Sequence, residues 1–196
     1  MDQLSYAWGM AFGHQLRGMG VTNIDFNDFD EALHDAFEGK ESKLSPEEAN
    51  KIIQEYLQEL AAKKTAEMRE AGEKFLAENA KNENVKVTAS GLQYVVVKEG
   101  EGAQPTAEDE VTVHYTGKLL DGTVFDSSIS RGEPATFPLN RVIPGWTEGV
   151  QLMKEGGKYI FYIPSDLAYG PQGVPNAIPP HSTLIFKVEL IKVNKK

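Results

Sequence analysis

From Ser45 to Asn79 the chain is a run of strong helix formers interrupted only by Gly72, and this segment most limits what the whole can fold into. Ser45-Pro46-Glu47-Glu48 supplies an N-cap, a proline at the first helical position and a capping-box glutamate. Roughly 35 residues at 1.5 Å each make a rod of about 50 Å, too long for a compact domain of this size to cover. Ile53, Leu57, Leu60, Met68, Ala71 and Phe75 mark an apolar side, whereas Lys63, Lys64, Thr65, Glu67, Arg69 and Glu70 make the middle polar. A polar middle is the pattern of a solvated spacer between two packed ends. The expected organisation is a helical module over 1–44, a connecting helix over 45–80 and a second domain over 81–196.

The first module reads as two short helices. Leu4 to Arg17 carries Trp8, Phe12 and Leu16 at a spacing of four and ends at Gly18 and Gly20. Asp25 caps a second helix to about Glu38, with Ile24 and Phe29 in hydrophobic-staple positions and Gly39 as a left-handed stop. Together they bring in Trp8, Met10, Phe12, Phe26, Phe29, Leu33 and Phe37, more aromatic surface than two short helices bury alone. Pairing with a second copy through residues 1–44 solves this, so a homodimer is expected. Gly9-x-x-x-Gly13 either lets two helices approach closely or is chance placement.

Beyond a junction at 80–90 the hydrophobic period changes from 3.6 to 2. Leu92–Lys98, Glu110–Leu119, Lys158–Ile163 and Thr183–Val193 are β-branched or aromatic runs bounded by Gly, Pro and Asp. Asp121-Gly122 is a hairpin turn signal. Pro144 to Met153 is the one short helical stretch, and Gly100-x-Gly102 reads as a surface turn. The fold class is therefore α+β: an antiparallel sheet wrapped over a short helix, preceded by an all-α module.

Charge and composition narrow the function. Residues 1–84 hold 17 acidic and 9 basic side chains, and residues 85–196 hold 12 and 11. An acidic half beside a near-neutral one argues for two modules and against a nucleic-acid partner, whose phosphates demand a basic face. No window approaches the roughly 18 apolar residues of a membrane span. With no cysteine, thiol chemistry and disulfides are excluded, which fits a cytoplasmic location. A periplasmic one, after removal of a leader, is the alternative. His14, His34, His114 and His181 are scattered without metal-ligand spacing, so neither a metal nor a cofactor is expected. The acidic stretch Asp25–Glu38 fails as a calcium loop, because Asp30 stands where the sharp-turn glycine belongs.

The chemistry lies in four fragments: VHYTGKLLDGTVFDSS at 113–128, VIPGW at 142–146, LAYG at 167–170 and IPPHSTLIF at 178–186. They bring large apolar and aromatic residues together with few polar groups, namely Asp126, the Tyr115 and Tyr169 hydroxyls and the backbone at Ile143. Each aromatic alone is equally compatible with ordinary core. As a set they describe an apolar hole suited to an uncharged, amide-like ligand.

In this order the fragments resemble the FK506-binding family of peptidyl-prolyl isomerases over most of 91–192. The helical module, the long helix and AGEKFLAENAK at 71–81 resemble the Mip-like bacterial group within it, the FKBP22 type most of all. The resemblance implies that Trp146 lies under the proline ring as a pocket floor. It implies that Tyr115, Phe125, Phe137, Val142, Ile143, Tyr169, Ile178 and Phe186 line the pocket. Asp126 would approach the substrate carbonyl or polarise a neighbouring tyrosine; the bland reading of Asp126-Ser127-Ser128 is turn chemistry. Arg131 would pair with the pocket carboxylate, and the Ile143 N–H and Tyr169 hydroxyl would donate to ligand carbonyls. The catalytic set is thus expected to be Tyr115, Asp126, Trp146 and Tyr169. Ala135, Val174 and Ala177 depart from well-known single-domain members at the rim, where macrolide inhibitors of the FK506 and rapamycin type would bind. The implied activity is isomerisation of X-Pro bonds in unfolded or nascent chains, with dimer-dependent chaperone action. The rival reading is a non-catalytic holdase on the same scaffold.

Overall fold

The computed structural model describes residues 1–195. The chain divides into two compact units that meet between Lys64 and Thr65, inside one helix. In the first unit, α1 (Gln3–Gly18) is capped by Asp2, whose carboxylate accepts from the Ser5 N–H at 2.8 Å. Helix α2 (Phe26–Glu38) is capped by Asp25 and stopped by Gly39 at φ 68. Neither helix buries a single residue. Trp8 is 61% exposed, Phe26 79% and Phe37 91%. The side chains of α1 and α2 instead form an apolar groove of about 890 Å³ lined by Trp8, Phe12, Leu16, Phe29, Leu33 and Phe37 among others. Gly9 and Gly13 both line it, and nothing lies within 4 Å of where their Cβ atoms would be.

Helix α3 (Pro46–Asn79) begins with the expected box: the Glu48 N–H donates to Ser45 Oγ at 3.2 Å, and the Ser45 N–H to Glu48 Oε2 at 2.9 Å. Its last turns belong to the second unit. Gly72 is the one buried residue of α3 and sits against Thr183. The Phe75 ring lies 5.8 Å from that of Tyr162. Buried Gln93 ties down the helix end, donating to the Leu76 carbonyl at 2.7 Å and accepting from Asn79 Nδ2 at 2.9 Å.

The second unit is an antiparallel sheet whose strands run β1 (Lys86–Val87), β2 (Gln93–Lys98), β6 (Lys158–Ile163), β7 (Leu184–Asn194), β3 (Glu110–Leu119) and β4 (Val124–Ser127), with β5 (Ala135–Pro138) also paired to β3. Strand β3 pairs with β7 from end to end. Its alternation buries Val111, Val113, Tyr115 and Leu119 on one face, and the matching face of β7 buries Leu184, Phe186, Val188 and Leu190. A register shift between Thr112 and Val113 lets Ile191 turn out and Val193 return to the core. Helix α5 (Pro144–Val150) crosses this face with Trp146 and Val150 buried; a Cβ at Gly149 would meet the Phe161 ring at 2.7 Å, so the helix backbone rests directly on β6.

Several local expectations are corrected or completed. Helix α5 ends at Val150 rather than Met153, and α4 (Ser128–Arg131) is a further short helix, capped by Ser127. Strands β4 and β5 follow from pairing with β3, because four-residue segments carry too little period to be read alone. Gly100 is not part of a surface turn: it is buried, and a Cβ there would stand 2.2 Å from the Lys154 carbonyl oxygen.

Candidate functional site

The mouth of the sheet opens into a cavity of about 410 Å³ lined by Tyr115, Phe125, Asp126, Phe137, Arg141, Val142, Ile143, Trp146, Tyr169 and Phe186. Trp146 is its floor, 3% exposed at the first turn of α5. Three rings stand edge-on to its indole, with centroids at 5.2 Å (Tyr115), 5.4 Å (Phe137) and 5.3 Å (Phe186). Phe125 meets Phe186 edge-on at 5.4 Å. Such T-shaped contacts favour one arrangement of the rings and leave them little freedom to collapse into the hole.

Gly117 makes this packing possible, and nothing in the sequence pattern singles it out. It lies on the inner face of β3, where a Cβ would meet Phe125 Cζ at 2.6 Å and Phe186 Cε1 at 2.7 Å. The strand therefore needs a glycine in the middle of an apolar face, against ordinary strand preference.

The polar part is small. Asp126 pairs opposite Gly117 on β4, and Ser127, not Asp126, caps the following turn, so the bland turn reading of Asp126 does not hold. The Tyr115 hydroxyl donates to Asp126 Oδ2 at 2.5 Å. The Arg131 guanidinium binds the other carboxylate oxygen and donates to the Tyr115 hydroxyl at 3.0 Å. Partial burial pushes the Asp126 carboxyl up, but hydrogen bonds from Tyr115 and Arg131, with the guanidinium charge, outweigh it and hold the carboxyl below its ordinary value of 3.8. Burial, then the Asp126 contact, push the Tyr115 phenol above 10.0. Tyr169 is raised too, by burial and by the Asp126 charge. Behind the site, fully buried Ser128 accepts from the Tyr115 N–H at 2.8 Å and meets His114 Nδ1 at 3.0 Å.

The Ile143 carbonyl accepts from the Trp146 and Thr147 N–H groups at 2.9 and 3.1 Å, while its own N–H and the Tyr169 hydroxyl have no partner among the described residues. Both residues line the cavity, whose other polar groups are Asp126, Arg141 and the Tyr115 hydroxyl. No group of three or more His, Cys, Asp or Glu is placed to hold a metal ion among the described residues. The arrangement can hold a flat apolar ring among aromatic side chains, with Asp126 and the Tyr169 hydroxyl beside it in the pocket lining.

Of the expected residues, Tyr115, Phe125, Asp126, Phe137, Val142, Ile143, Trp146, Tyr169 and Phe186 meet at the cavity, and Arg131 joins through its ion pair with Asp126. Ile178 does not line it. Its side chain is 4% exposed in the core and borders a separate recess of about 300 Å³ with Val174 and Ala177, because the bridge between Val174 and Ile178 folds that loop onto itself. Arg141 is the lining residue that the fragments did not reveal, since an arginine before an apolar turn carries no periodic signal.

Residues 101–191 match the family described as FKBP-type peptidyl-prolyl cis-trans isomerase, and residues 1–96 match the domain described as amino terminal to it. The chain is 51% identical over 202 residues to a probable FKBP-type peptidyl-prolyl cis-trans isomerase FkpA of Neisseria meningitidis serogroup B, covering 98% of this chain and 74% of that protein. It is 45% identical over 194 residues to the FKBP-type 22 kDa peptidyl-prolyl cis-trans isomerase of Escherichia coli K12, covering 97% and 94%. The crystal structure of FkpA from Escherichia coli superposes with a TM-score of 0.80 at 39% identity, covering 98% of this chain and 96% of that one.

Proposed function

The chain belongs to the FKBP-type peptidyl-prolyl cis-trans isomerases, and from that premise we propose how its pocket accelerates rotation about an X-Pro bond. The barrier of about 18–20 kcal/mol is lost amide resonance, and proline leaves the two isomers only about 0.5–1 kcal/mol apart. No bond to a heavy atom is made or broken, so the catalyst has only to bind the twisted imide better than either planar form. In our reading the pyrrolidine lies on the Trp146 indole, between Tyr115, Phe137 and Phe186. The Ile143 N–H and Tyr169 hydroxyl donate to flanking carbonyls. Asp126, kept ionised by Tyr115 and Arg131, presents its charge to the carbonyl whose dipole turns. A dry aromatic wall suits an imide that has lost conjugation better than water does.

The observation that carries this reading is the Trp146 ring, almost wholly buried yet forming the floor of an open cavity. A cis–trans assay on a leucyl- or phenylalanyl-prolyl peptide tests it, run with and without a macrolide inhibitor. Catalysis blocked by the inhibitor supports the pocket; catalysis insensitive to both the inhibitor and Trp146 substitution removes it. Ala135 and Phe137 both lie on β5, two residues apart, so the inhibitor arm of the assay also tests what the small rim residue at 135 does to macrolide binding.

We further propose that two copies join through residues 1–44. Support comes from the apolar groove of α1 and α2, whose rings have no cover within their own unit. Two pockets in one assembly raise the effective concentration for a long, proline-containing unfolded chain, the basis of dimer-dependent chaperone action. A cytoplasmic location rests on the cysteine-free composition alone, with the periplasm as the alternative, and fractionation of the native host separates the two.

A further inference from the structure

Arg141 ends the 3-10 turn Leu139–Arg141 and lines the cavity next to Val142 and Ile143. Its base is rigid. Leu139 is fully buried, its N–H donates to the Asp109 carbonyl at 3.0 Å, and its carbonyl accepts from Thr147 Oγ1 at 2.7 Å. Asn140, the residue before Arg141, donates through Nδ2 to Glu108 at 3.2 Å. Arg131 is tied to Asp126, but Arg141 forms no ion pair among the described residues. Asp126 and Arg131 offset each other, so the pocket retains the Arg141 charge on a chain whose formal net charge is −9. Low-dielectric walls such as these rings focus the field of a charge at their rim.

We infer that Arg141 is a specificity-determining residue that favours substrates bearing a carboxylate side chain within two residues of the isomerising proline. A cavity of about 410 Å³ holds the prolyl ring and its immediate neighbour, so the side chains of flanking residues emerge at the rim where Arg141 stands. An acidic side chain there gains a partner that has none in the free enzyme. A lysine meets a like charge instead. The inference rests on the isomerase reading of the pocket and adds a substrate class to it.

The test is a set of peptides around one Leu-Pro pair, identical except for Glu, Gln or Lys placed in turn at the two positions on either side. Each is assayed for kcat/KM with the full-length protein and with Arg141→Glu and Arg141→Gln, at low and high salt. At one or more positions the Glu peptide is expected to exceed the Lys peptide by roughly two- to five-fold at low salt, the range of exposed ion pairs. The ratio should shrink as salt screens it, fall to about one in Arg141→Gln and invert in Arg141→Glu. A ratio of one throughout in the unaltered protein, or one that survives both substitutions, overturns the inference. Turnover of the Gln peptide reports separately on the pocket: without it the isomerase reading fails, and with it an unaltered ratio removes the Arg141 proposal alone.

Discussion

Asp126 and Tyr115 sit on neighbouring strands with Arg131 behind them, a local electrostatic arrangement rather than a packing one. Asp126→Ala is therefore expected to lower kcat/KM by at least ten-fold while leaving the unfolding free energy within about 1 kcal/mol of the parent. Trp146→Ala should lower both, losing about 3–5 kcal/mol in chemical denaturation because the floor and its edge-on partners go together. Full activity in either variant removes the proposed pocket. The pH dependence follows from the directions of the two shifts. Asp126, lowered from 3.8, stays ionised until the pH falls through that lowered value, and Tyr115, raised from 10.0, stays protonated until the pH rises past it. The expected kcat/KM profile is flat between roughly pH 5 and 9 and declines only outside that range.

At the scale of elements, the end of α3 behaves as part of the isomerase unit, not as a free tether. Gly72, Phe75, Leu76 and Asn79 each contact Thr183, Tyr162 or Gln93. A fragment from Asn84 should fold and isomerise short peptides, but one from Thr65 should be the more stable. Thermal melts of the two fragments decide this, and equal Tm values would make the docking irrelevant. Gly72 sharpens the point. Propensity alone predicts that a larger residue in a helix interior stabilises, by up to about 1 kcal/mol for alanine. A Cβ there would lie 2.5 Å from Thr183 Oγ1, so Gly72→Val is expected to lower the Tm of the Thr65 fragment.

At the scale of the whole molecule, the exposed rings of α1 and α2 are the largest unsolved packing problem in a single copy. The full chain is expected to sediment at about twice 21.6 kDa and the Thr65 fragment as a monomer. Deleting the N-terminal module should reduce activity on a refolding protein more than activity on a short peptide, since only a long chain can engage two pockets. Full-length monomer at micromolar concentration, or equal loss on both substrates, counts against the paired arrangement.

Much of this was already determined by the order of residues. Capping at Asp25 and Ser45, the stop at Gly39 and the period-2 faces of β3 and β7 are local, so three helices and four main strands could be read from spacing alone. The aromatic fragments were legible because Tyr115, Phe125, Trp146 and Phe186 are chemically conspicuous. What tertiary structure alone decided is which of them share a cavity. It moved Ile178 into the core, brought in Arg141, and placed the rings of Phe125 and Phe186 against Gly117. Strands β4 and β5 likewise exist through their pairing with β3. The reason is the same in each case: caps and periodicity act within one or two turns, whereas a cavity is the space left between side chains from six separate segments, and no local pattern records that space.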